Sequence, residues 1–227
     1  MRKPAARRTV SGLLLVASVL LLAPLGATAR EATESRELVT APEPFRYCVT
    51  CHGVELQGNR LVDAPRLAGL PRWYLERQMQ AFRAGWRGAH PGDINGMEMR
   101  PQAAVLAEAD VVRAVDYAAS VPVRDLPPAT VTGDATRGQA LYVTCAACHG
   151  AEGEGNQALG GPPLAGQSDW YLVTQLNNFR TGARGATAGD TQGATMASSV
   201  AVLADEAAVQ DVVAYIATLE QSEQESR

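Results

Sequence analysis

The sequence predicts an all-α protein built from two tandem copies of one small domain. A six-residue formula, CVTCHG at 48–53, returns as CAACHG at 145–150, and the apolar residues that follow each formula recur at helical spacing. Apolar side chains at i, i+3, i+4 and i+7 share one face of a helix. No segment shows the alternation of apolar and polar residues that is typical of a half-buried strand.

The duplication extends well beyond these formulas. When they are superposed, an offset of 97 residues holds without a gap over 59 positions, and 28 of these positions are identical. Self-similarity of this length indicates a duplicated domain. We expect an N-terminal domain at 30–121, a proline-rich, semi-rigid linker at 122–133 and a C-terminal domain at 134–227, with a frayed tail from residue 220.

The first 29 residues, 1–29, predict a cleaved secretory signal. Four basic residues precede an uncharged apolar run that ends in Ala-Thr-Ala, which suits a signal peptidase. A retained membrane anchor and a twin-arginine signal are the alternatives. Removal of the signal leaves 16 basic and 24 acidic residues, a net charge of −8. An acidic secreted chain is a poor nucleic-acid binder, so we expect no nucleic-acid partner.

Each copy predicts an amphipathic helix in its middle and another at its end. The middle helix has Pro71 in its first turn and Gly85 at its end in one copy, and a Ser168 cap and Gly182 in the other. The last helix is predicted at about 109–120 and 205–219. Copies of about 85–90 residues with long glycine-rich loops have a thin core, so we expect a bound group to complete it.

The repeated formula identifies that group. Two thiols one helical turn apart can form thioethers with the two vinyl groups of a haem, and a histidine directly after the second cysteine can bind the iron. We therefore predict two covalently bound haem c groups. The attachment residues are Cys48 and Cys51 in one copy and Cys145 and Cys148 in the other, with His52 and His149 as iron ligands.

Two other interpretations of the formula are weaker. A disulfide within Cys-x-x-Cys is chemically plausible outside the cytosol, but it gives the histidine no task and the βαβ pattern of a thioredoxin-like site is absent. Zinc needs four ligands, whereas each copy offers two cysteines and one histidine. Two Cys-x-x-Cys pairs sharing one zinc would leave both histidines unexplained.

A second iron ligand is predicted from the repeat. Met99 and Met196 each lie 47 residues after the motif histidine of their copy. Thioether sulfur stabilises ferrous iron and raises the reduction potential. Met97 matches an alanine of the second copy and is the alternative ligand, while Met79 lies in an apolar helix stripe and His90 is expected to be an exposed loop residue.

The sequence resembles the two-domain dihaem cytochromes of the cytochrome c4 family over essentially the whole mature chain. Each Cys-x-x-Cys-His is followed by P-x-L-A-G, by W-Y-L-x-x-Q-x-x-x-F-R-x-G-x-R and by a distal methionine. The resemblance implies two class I cytochrome c folds and a carbonyl of Pro65 or Pro162 that accepts the ring N–H of the histidine. The two methionines within HPGDINGMEM depart from the usual pattern, so the Met99 assignment depends on the internal alignment.

The resemblance also implies a function. Members of the family shuttle electrons between redox partner proteins in the periplasm, commonly toward a haem–copper terminal oxidase, which would bring the protein to the membrane surface. With histidine and methionine on both irons, no position is free for a small-molecule substrate, so we expect an electron carrier rather than an enzyme. A cytochrome subunit of a dehydrogenase complex and a dihaem peroxidase are the alternatives.

The two copies differ in charge. Residues 30–121 carry 11 arginines and 12 acidic residues, whereas residues 134–227 carry 4 and 11. The arginines of the first copy that other residue types replace in the second include Arg60, Arg66, Arg72, Arg77 and Arg100. Either these arginines raise the potential of the first haem above that of the second, or they are exposed charges screened by salt.

Overall fold

The computed structural model describes residues 45–124 and 128–219. The predicted signal and tail, and the middle of the predicted linker, lie outside these residues. Within the described segments the protein is helical, and its β structure is limited to two isolated bridges. No helix in these segments is long and apolar enough to cross a membrane.

The described part of the chain contains eight α-helices, which form two sets of four in the same order. They are α1 Arg46–His52, α2 Arg72–Arg83, α3 Ile94–Val105, α4 Glu108–Ser120, α5 Ala135–His149, α6 Asp169–Arg180, α7 Thr191–Ser199 and α8 Glu206–Ile216. Short 3-10 turns lie at 60–62, 157–159 and 200–202. The all-α prediction is therefore confirmed for the described residues.

The middle helices α2 and α6 begin and end close to the predicted positions. Pro71 directly precedes α2, and Gly85 and Gly182 follow the two helices with φ near +75°, a conformation that ends helices and suits glycine. The predicted side-chain cap of α6 was wrong. Ser168 stands at the N-cap position without a capping bond, because the N–H of Trp170 donates to the Asp169 carboxylate instead (2.7 Å).

The methionine segments are helical, which the sequence did not predict. Met99 lies in α3 and Met196 in α7. The Asp190 carboxylate accepts the Gly193 N–H (2.9 Å) and so caps α7. The last helix of the C-terminal copy is also shorter than predicted, because it ends at Ile216 and gives way to a turn.

Each set of helices encloses its own apolar cluster. In the C-terminal half α5 packs along α8, and the buried members of the cluster include Tyr142, Phe179, Val209, Val213 and Ile216. The N-terminal cluster has no aromatic residue among its buried members, which are Leu56, Ala68, Leu70, Leu75, Val111, Val115, Ala118 and Val121. The buried phenylalanines of the N-terminal half, Phe45 and Phe82, lie outside this cluster.

Candidate functional site

The two Cys-x-x-Cys-His motifs close the helices α1 and α5. Each helix ends at the motif histidine, and the next residue, Gly53 or Gly150, turns the chain away with φ above +80°. The four cysteines, all within the described segments, are free thiols. Burial raises the pKa of Cys48 and Cys145, so these thiols are protonated at neutral pH.

The motif histidines are held in the same way in both halves. His52 is 8% exposed and His149 is 6% exposed. Each Nδ1 lies 2.7 Å from a backbone carbonyl, that of Pro65 in one half and of Pro162 in the other. A carbonyl oxygen only accepts, so Nδ1 carries the hydrogen and the Nε2 lone pair is left free for a metal.

Burial also keeps these imidazoles neutral. It lowers the pKa of His52 and His149, while the hydrogen bond to the proline carbonyl acts in the opposite direction. A neutral imidazole with a free Nε2 is the form that binds iron. The contact with Pro65 and Pro162 that the resemblance implies is thus present in both halves.

The predicted methionines occupy equivalent places. Met99 and Met196 are both half-buried, and Met196 packs against the C-terminal apolar cluster. Met97, the alternative ligand, is 48% exposed. Met79 packs against the N-terminal cluster and His90 is exposed, which agrees with the roles predicted for them.

A large apolar cavity lies beside His149. The space between its walls measures about 1060 Å³, which includes solvent at the open mouth. Its wall includes Cys145, His149, Met196, Leu172, Phe179, Val212 and Ile216. The thiol, imidazole and thioether thus open onto one apolar space, which fits a haem attached at the motif.

The same cavity reaches a set of polar residues that joins the two halves. Gln78 and Arg87 of the N-terminal half occupy the positions of Gln175 and Arg184 in the C-terminal half. Arg87 donates to Gln78 Oε1 (2.9 Å) and Gln175 Oε1 (3.3 Å). Arg184 donates to the same two oxygens, at 2.9 Å and 2.8 Å. The four side chains form a closed ring with approximate twofold symmetry.

This ring suits an anionic group. Its two guanidinium groups bond to uncharged amide oxygens and repel each other across a buried interface. Tyr74 and Tyr171, also equivalent, lie against Arg184 and Arg87, and burial raises the pKa of Tyr74. A haem carries two propionate carboxylates, so the donors of the ring match the polar edge of the group that the apolar wall accepts.

Further contacts tie the halves together around the ring. Asn178 donates to the Asp93 carboxylate (3.2 Å), and Arg77 lies 3.7 Å from Asp190. The guanidinium of Arg60 stacks over the ring of Trp170 at 5.2 Å. The two halves therefore meet through polar and cation–π contacts rather than through a shared apolar core.

The sequence interpretation missed this interface. Gln78 and Gln175 lie in the predicted amphipathic middle helices, and the sequence pattern indicates no role for them, although Gln175 is only 6% exposed. One feature of the sequence could have indicated this interface. Both copies have a glutamine within the apolar stripe of the middle helix and an arginine nine residues after it. A polar residue retained on a buried face requires a partner.

The alternative zinc site finds no support. No group of three or more histidine, cysteine, aspartate or glutamate side chains within 45–124 and 128–219 is arranged to hold a metal ion. The C-terminal half instead brings Cys145, His149 and Met196 to the wall of one cavity. This set suits haem attachment and axial ligation.

The sequence is similar to those of known cytochromes. Residues 42–122 and 135–220 match the profile of the Cytochrome c family. Cytochrome c-552 of Acidithiobacillus ferridurans is 30% identical over 216 residues, which cover 88% of this chain and 86% of its own. A thiosulfate dehydrogenase electron acceptor of Stutzerimonas stutzeri is 32% identical over 187 residues, covering 78% and 80%.

The fold is also similar to that of a solved cytochrome structure. Reduced recombinant cytochrome c4 from Pseudomonas stutzeri aligns with a TM-score of 0.60 and 28% identity, over 78% of this chain and 95% of that one. The two matched segments each contain one Cys-x-x-Cys-His motif, so the protein carries two covalently bound haem c groups. The chain belongs to the cytochrome c family, as a dihaem electron-transfer protein of the cytochrome c4 type.

Proposed function

We propose that the protein is a periplasmic electron carrier in which each iron is held by a histidine and a methionine. The ligand pairs are His52 with Met99 and His149 with Met196, and the haems are attached at Cys48 with Cys51 and at Cys145 with Cys148. The observation that carries the proposal is the repetition of the Nδ1-to-carbonyl bond at 2.7 Å in both halves, which leaves each Nε2 free.

The chain's own residues would tune the sites in three ways. When bound, haem supplies one-electron exchange between ferric and ferrous iron. The proline carbonyls fix the tautomer and orientation of the histidines. The methionine thioethers would favour ferrous iron, and the guanidinium groups of Arg87 and Arg184 would bind the haem propionates at the interface.

Electron transfer rather than substrate turnover follows from this ligand set. Two protein ligands on an iron leave no position for a substrate, and rigid ligands change little between oxidation states. The partners of this carrier are therefore other redox proteins. A haem–copper oxidase is the acceptor implied by the resemblance to cytochrome c4.

A dehydrogenase as donor is the second candidate for the partner. A relative that matches 78% of this chain is named as the electron acceptor of a thiosulfate dehydrogenase. We therefore propose that a thiosulfate-oxidising or similar periplasmic dehydrogenase reduces this protein. The two assignments are compatible, because one names the donor and the other the acceptor.

The ligand proposal is tested on the protein matured in a host with a haem c assembly system. We expect two haems per chain, two reversible one-electron steps, and a ferrous spectrum that carbon monoxide leaves unchanged. Binding of carbon monoxide to the unmutated protein would contradict two-ligand coordination and would favour the peroxidase-type alternative.

The partner proposal is tested by stopped-flow mixing. Ferric protein is mixed with a thiosulfate dehydrogenase and thiosulfate, and ferrous protein is mixed with membranes that contain a haem–copper oxidase. Reduction in the first experiment, with none when thiosulfate is omitted, supports the dehydrogenase as donor. Oxidation in the second, abolished by cyanide, supports the oxidase as acceptor, and no reaction in either contradicts both.

A further inference from the structure

Both methionine helices are preceded by the same Gly-Asp pair. Gly92 and Asp93 directly precede α3, and Gly189 and Asp190 directly precede α7. In both helices the methionine proposed as iron ligand is the sixth residue after the aspartate. Asp93 is 0% exposed and Asp190 is 6% exposed. Burying a carboxylate costs free energy unless it is hydrogen-bonded, so the partners of these two aspartates matter.

Within its own half, the Asp93 carboxylate fixes the first turn of α3. It accepts the N–H of Gly88, in the loop after α2 (2.8 Å), and the Asp93 carbonyl accepts the N–H of Met97 (2.9 Å). A Cβ at Gly96 would overlap this carboxylate, and a Cβ at Gly88 would overlap the Gly96 carbonyl. Because carboxylate, loop and helix turn are this closely packed, a displacement of Asp93 would displace the helix.

The other oxygen of Asp93 is bonded from the C-terminal half. Asn178 of α6, which is 9% exposed, donates its side-chain N–H to Asp93 Oδ1 (3.2 Å). The preceding residue, Gly92, lies against the same half, since a Cβ on it would stand 3.1 Å from the Cβ of Ala183. The carbonyl of Asn178 accepts the N–H of Arg184 (3.0 Å), which joins the asparagine to the interface ring. The start of α3 is therefore held by the C-terminal half.

The start of α7 lies against the N-terminal half in a corresponding way. Nη2 of Arg77, on α2, is 3.7 Å from Asp190 Oδ1, and the same oxygen accepts the Gly193 N–H (2.9 Å). A Cβ at Gly189 would stand 3.3 Å from the indole nitrogen of Trp86. Each Gly-Asp pair is thus in contact with the opposite half.

The two contacts come from different positions of the middle helices. The equivalent of Asn178 in the first copy is Ala81, which has no side-chain donor. The equivalent of Arg77 in the second copy is Thr174, whose hydroxyl donates to the carbonyl of Trp170 in its own helix (2.9 Å). Duplication by itself does not create two contacts from unlike positions. A common role at the aspartate before the methionine helix explains both.

We propose that Asn178 and Arg77 are positioning residues that act across the interface, Asn178 on the helix of Met99 and Arg77 on the helix of Met196. The inference rests on the proposed function, because it requires these methionines as iron ligands. A helix that is held at its first turn keeps its thioether beside the iron, and loss of that contact raises the fraction of haem from which the methionine has left. Each half thus stabilises the iron ligand of the other.

The experiment measures how easily imidazole replaces the methionine of the ferric haem. Imidazole binds once the thioether has left, so its apparent affinity rises with the fraction of open haem. The holoprotein with Met196→His is the background, because only the N-terminal haem then has a methionine to lose. Asn178→Ala is compared with Asn177→Ala, the matched control, whose amide donates to Glu206 of its own half (2.8 Å). Loss of the iron–sulfur absorption reports the exchange of ligands.

We expect Asn178→Ala to raise the imidazole affinity of the N-terminal haem on the order of tenfold, because one hydrogen bond to a charged acceptor is lost. Asn177→Ala should leave this affinity unchanged. Asn178→Asp places two carboxylates against each other and should raise the affinity further. Combining Asn178→Asp with Asp93→Asn restores a donor and an acceptor in reversed order, so it should return the affinity toward its original value.

The contact at Asp190 is tested in a Met99→His background, in which only the C-terminal haem has a methionine to lose. Arg77→Gln should raise the imidazole affinity of that haem a few-fold, because this ion pair is partly exposed. Arg83→Gln is the control, since Arg83 lies on the same helix and pairs with Glu108 of its own half (2.6 Å). An unchanged affinity in Arg77→Gln, or an equal rise in Arg83→Gln, would overturn the role of Arg77.

The role of Asn178 would be overturned by an unchanged affinity in Asn178→Ala or by an equal rise in Asn177→Ala. An equal rise at the C-terminal haem, measured in the Met99→His background, would also overturn it, because it would mean a general loosening of α6. Should Asn178→Ala fail to retain its haems, Asn178→Asp with and without Asp93→Asn gives the same comparison, and a rise that the second substitution does not reverse counts against the proposal. Failure of the proposed function shows differently, as an unmutated protein that lacks the iron–sulfur absorption or carries fewer than two haems.

Discussion

The two halves of the molecule hold the same ligand set in different frameworks. Both fix the motif histidine to a proline carbonyl at 2.7 Å, and both contribute one glutamine and one arginine to the interface ring. The frameworks differ around these shared contacts. The motif helix has 15 residues in the C-terminal half and 7 in the N-terminal half.

The aromatic residues that support the motif helices also differ. In the C-terminal half the hydroxyl of Tyr142 donates to the carbonyl of Gly150 (2.9 Å), directly after the motif histidine. The equivalent residue of the N-terminal half, Phe45, has no hydroxyl and stacks on Tyr117 instead. The histidine, glutamine and arginine contacts are therefore matched between the copies, whereas the aromatic residue that packs on each motif helix makes different contacts.

The largest effect is expected from removing a haem. We expect Cys48→Ala with Cys51→Ala, and Cys145→Ala with Cys148→Ala, each to leave one haem per chain, as measured by the pyridine haemochrome assay. Each change removes the group that completes a core and should lower the stability of its half by more than the ~3–5 kcal/mol that truncation of a large buried aromatic side chain costs.

The two double variants should differ in how much helix they keep. The buried members of the N-terminal cluster are smaller, whereas Tyr142 and Phe179 fill the C-terminal cluster. Circular dichroism should therefore show a greater loss of helix when the N-terminal haem is absent. The reverse order would mean that the haem contributes more to the half with the larger apolar core.

The second largest effect is expected from removing a methionine ligand. Met99→Ala and Met196→Ala should each lower the potential of one haem, by roughly 0.1 V or more because axial ligands set haem potentials over about 0.8 V. Each variant should also bind carbon monoxide at the opened position. Met97→Ala is the matched control, since that side chain is 48% exposed.

The control also tests the internal alignment. If Met97→Ala opened the N-terminal haem to carbon monoxide and Met99→Ala did not, the two copies would differ in ligand register. The half-burial of Met99 and its equivalence to Met196 favour Met99. The measurement is a carbon monoxide difference spectrum of the ferrous protein, repeated for each variant.

Much of this arrangement could be predicted from the sequence because it is local or repeated. Helical periodicity identified α2 and α6, and the offset of 97 residues paired Met99 with Met196. The interface ring could not be predicted, because it depends on how two domains face each other. The helical state of the methionine segments was also missed, because α3 contains Pro101 and both segments lack a clear apolar stripe.

A smaller effect is expected at a position where the two copies differ by one methyl group. Gly161 and Ala64 are equivalent and form the same isolated bridge with an asparagine. A Cβ at Gly161 would overlap the carbonyl oxygen of Cys148, at the end of the motif helix. We expect Gly161→Ala to destabilise the C-terminal half by about 1–3 kcal/mol, as overpacking usually does.

The reciprocal change provides the control. Ala64 is 8% exposed, and Ala64→Gly removes one methyl group from a position that already accepts it, so the expected cost is below about 1 kcal/mol. Urea unfolding followed separately at each haem absorption would compare the two. If the two substitutions lowered the free energy of unfolding equally, the backbone at Gly161 would be no closer to its motif helix than the backbone at Ala64.

The smallest effect is expected from removing the Asp169 carboxylate, which attaches the end of the predicted linker to the C-terminal half. The Asp169 carboxylate accepts the N–H groups of Thr130, Val131 (2.8 Å) and Trp170 (2.7 Å). Burial opposes ionisation, but these hydrogen bonds outweigh it and lower the pKa of Asp169. The equivalent residue of the first copy is Arg72, which has no carboxylate to accept such bonds.

We expect Asp169→Asn to cost about 1 kcal/mol at neutral pH, because a hydrogen bond to a charged acceptor is replaced by one to a neutral amide. The folded state lowers this pKa, so the stabilisation is complete above the unfolded pKa of about 3.9 and is lost as the pH falls through the folded value. The difference between wild type and variant should therefore be constant from pH 7 to about 5 and shrink below about 4. Asp116→Asn, which removes the exposed partner of Arg72, is the control, and its cost should depend on salt instead. A difference that grows as the pH falls would mean that Asp169 is protonated in the folded protein and does not hold the linker as a carboxylate.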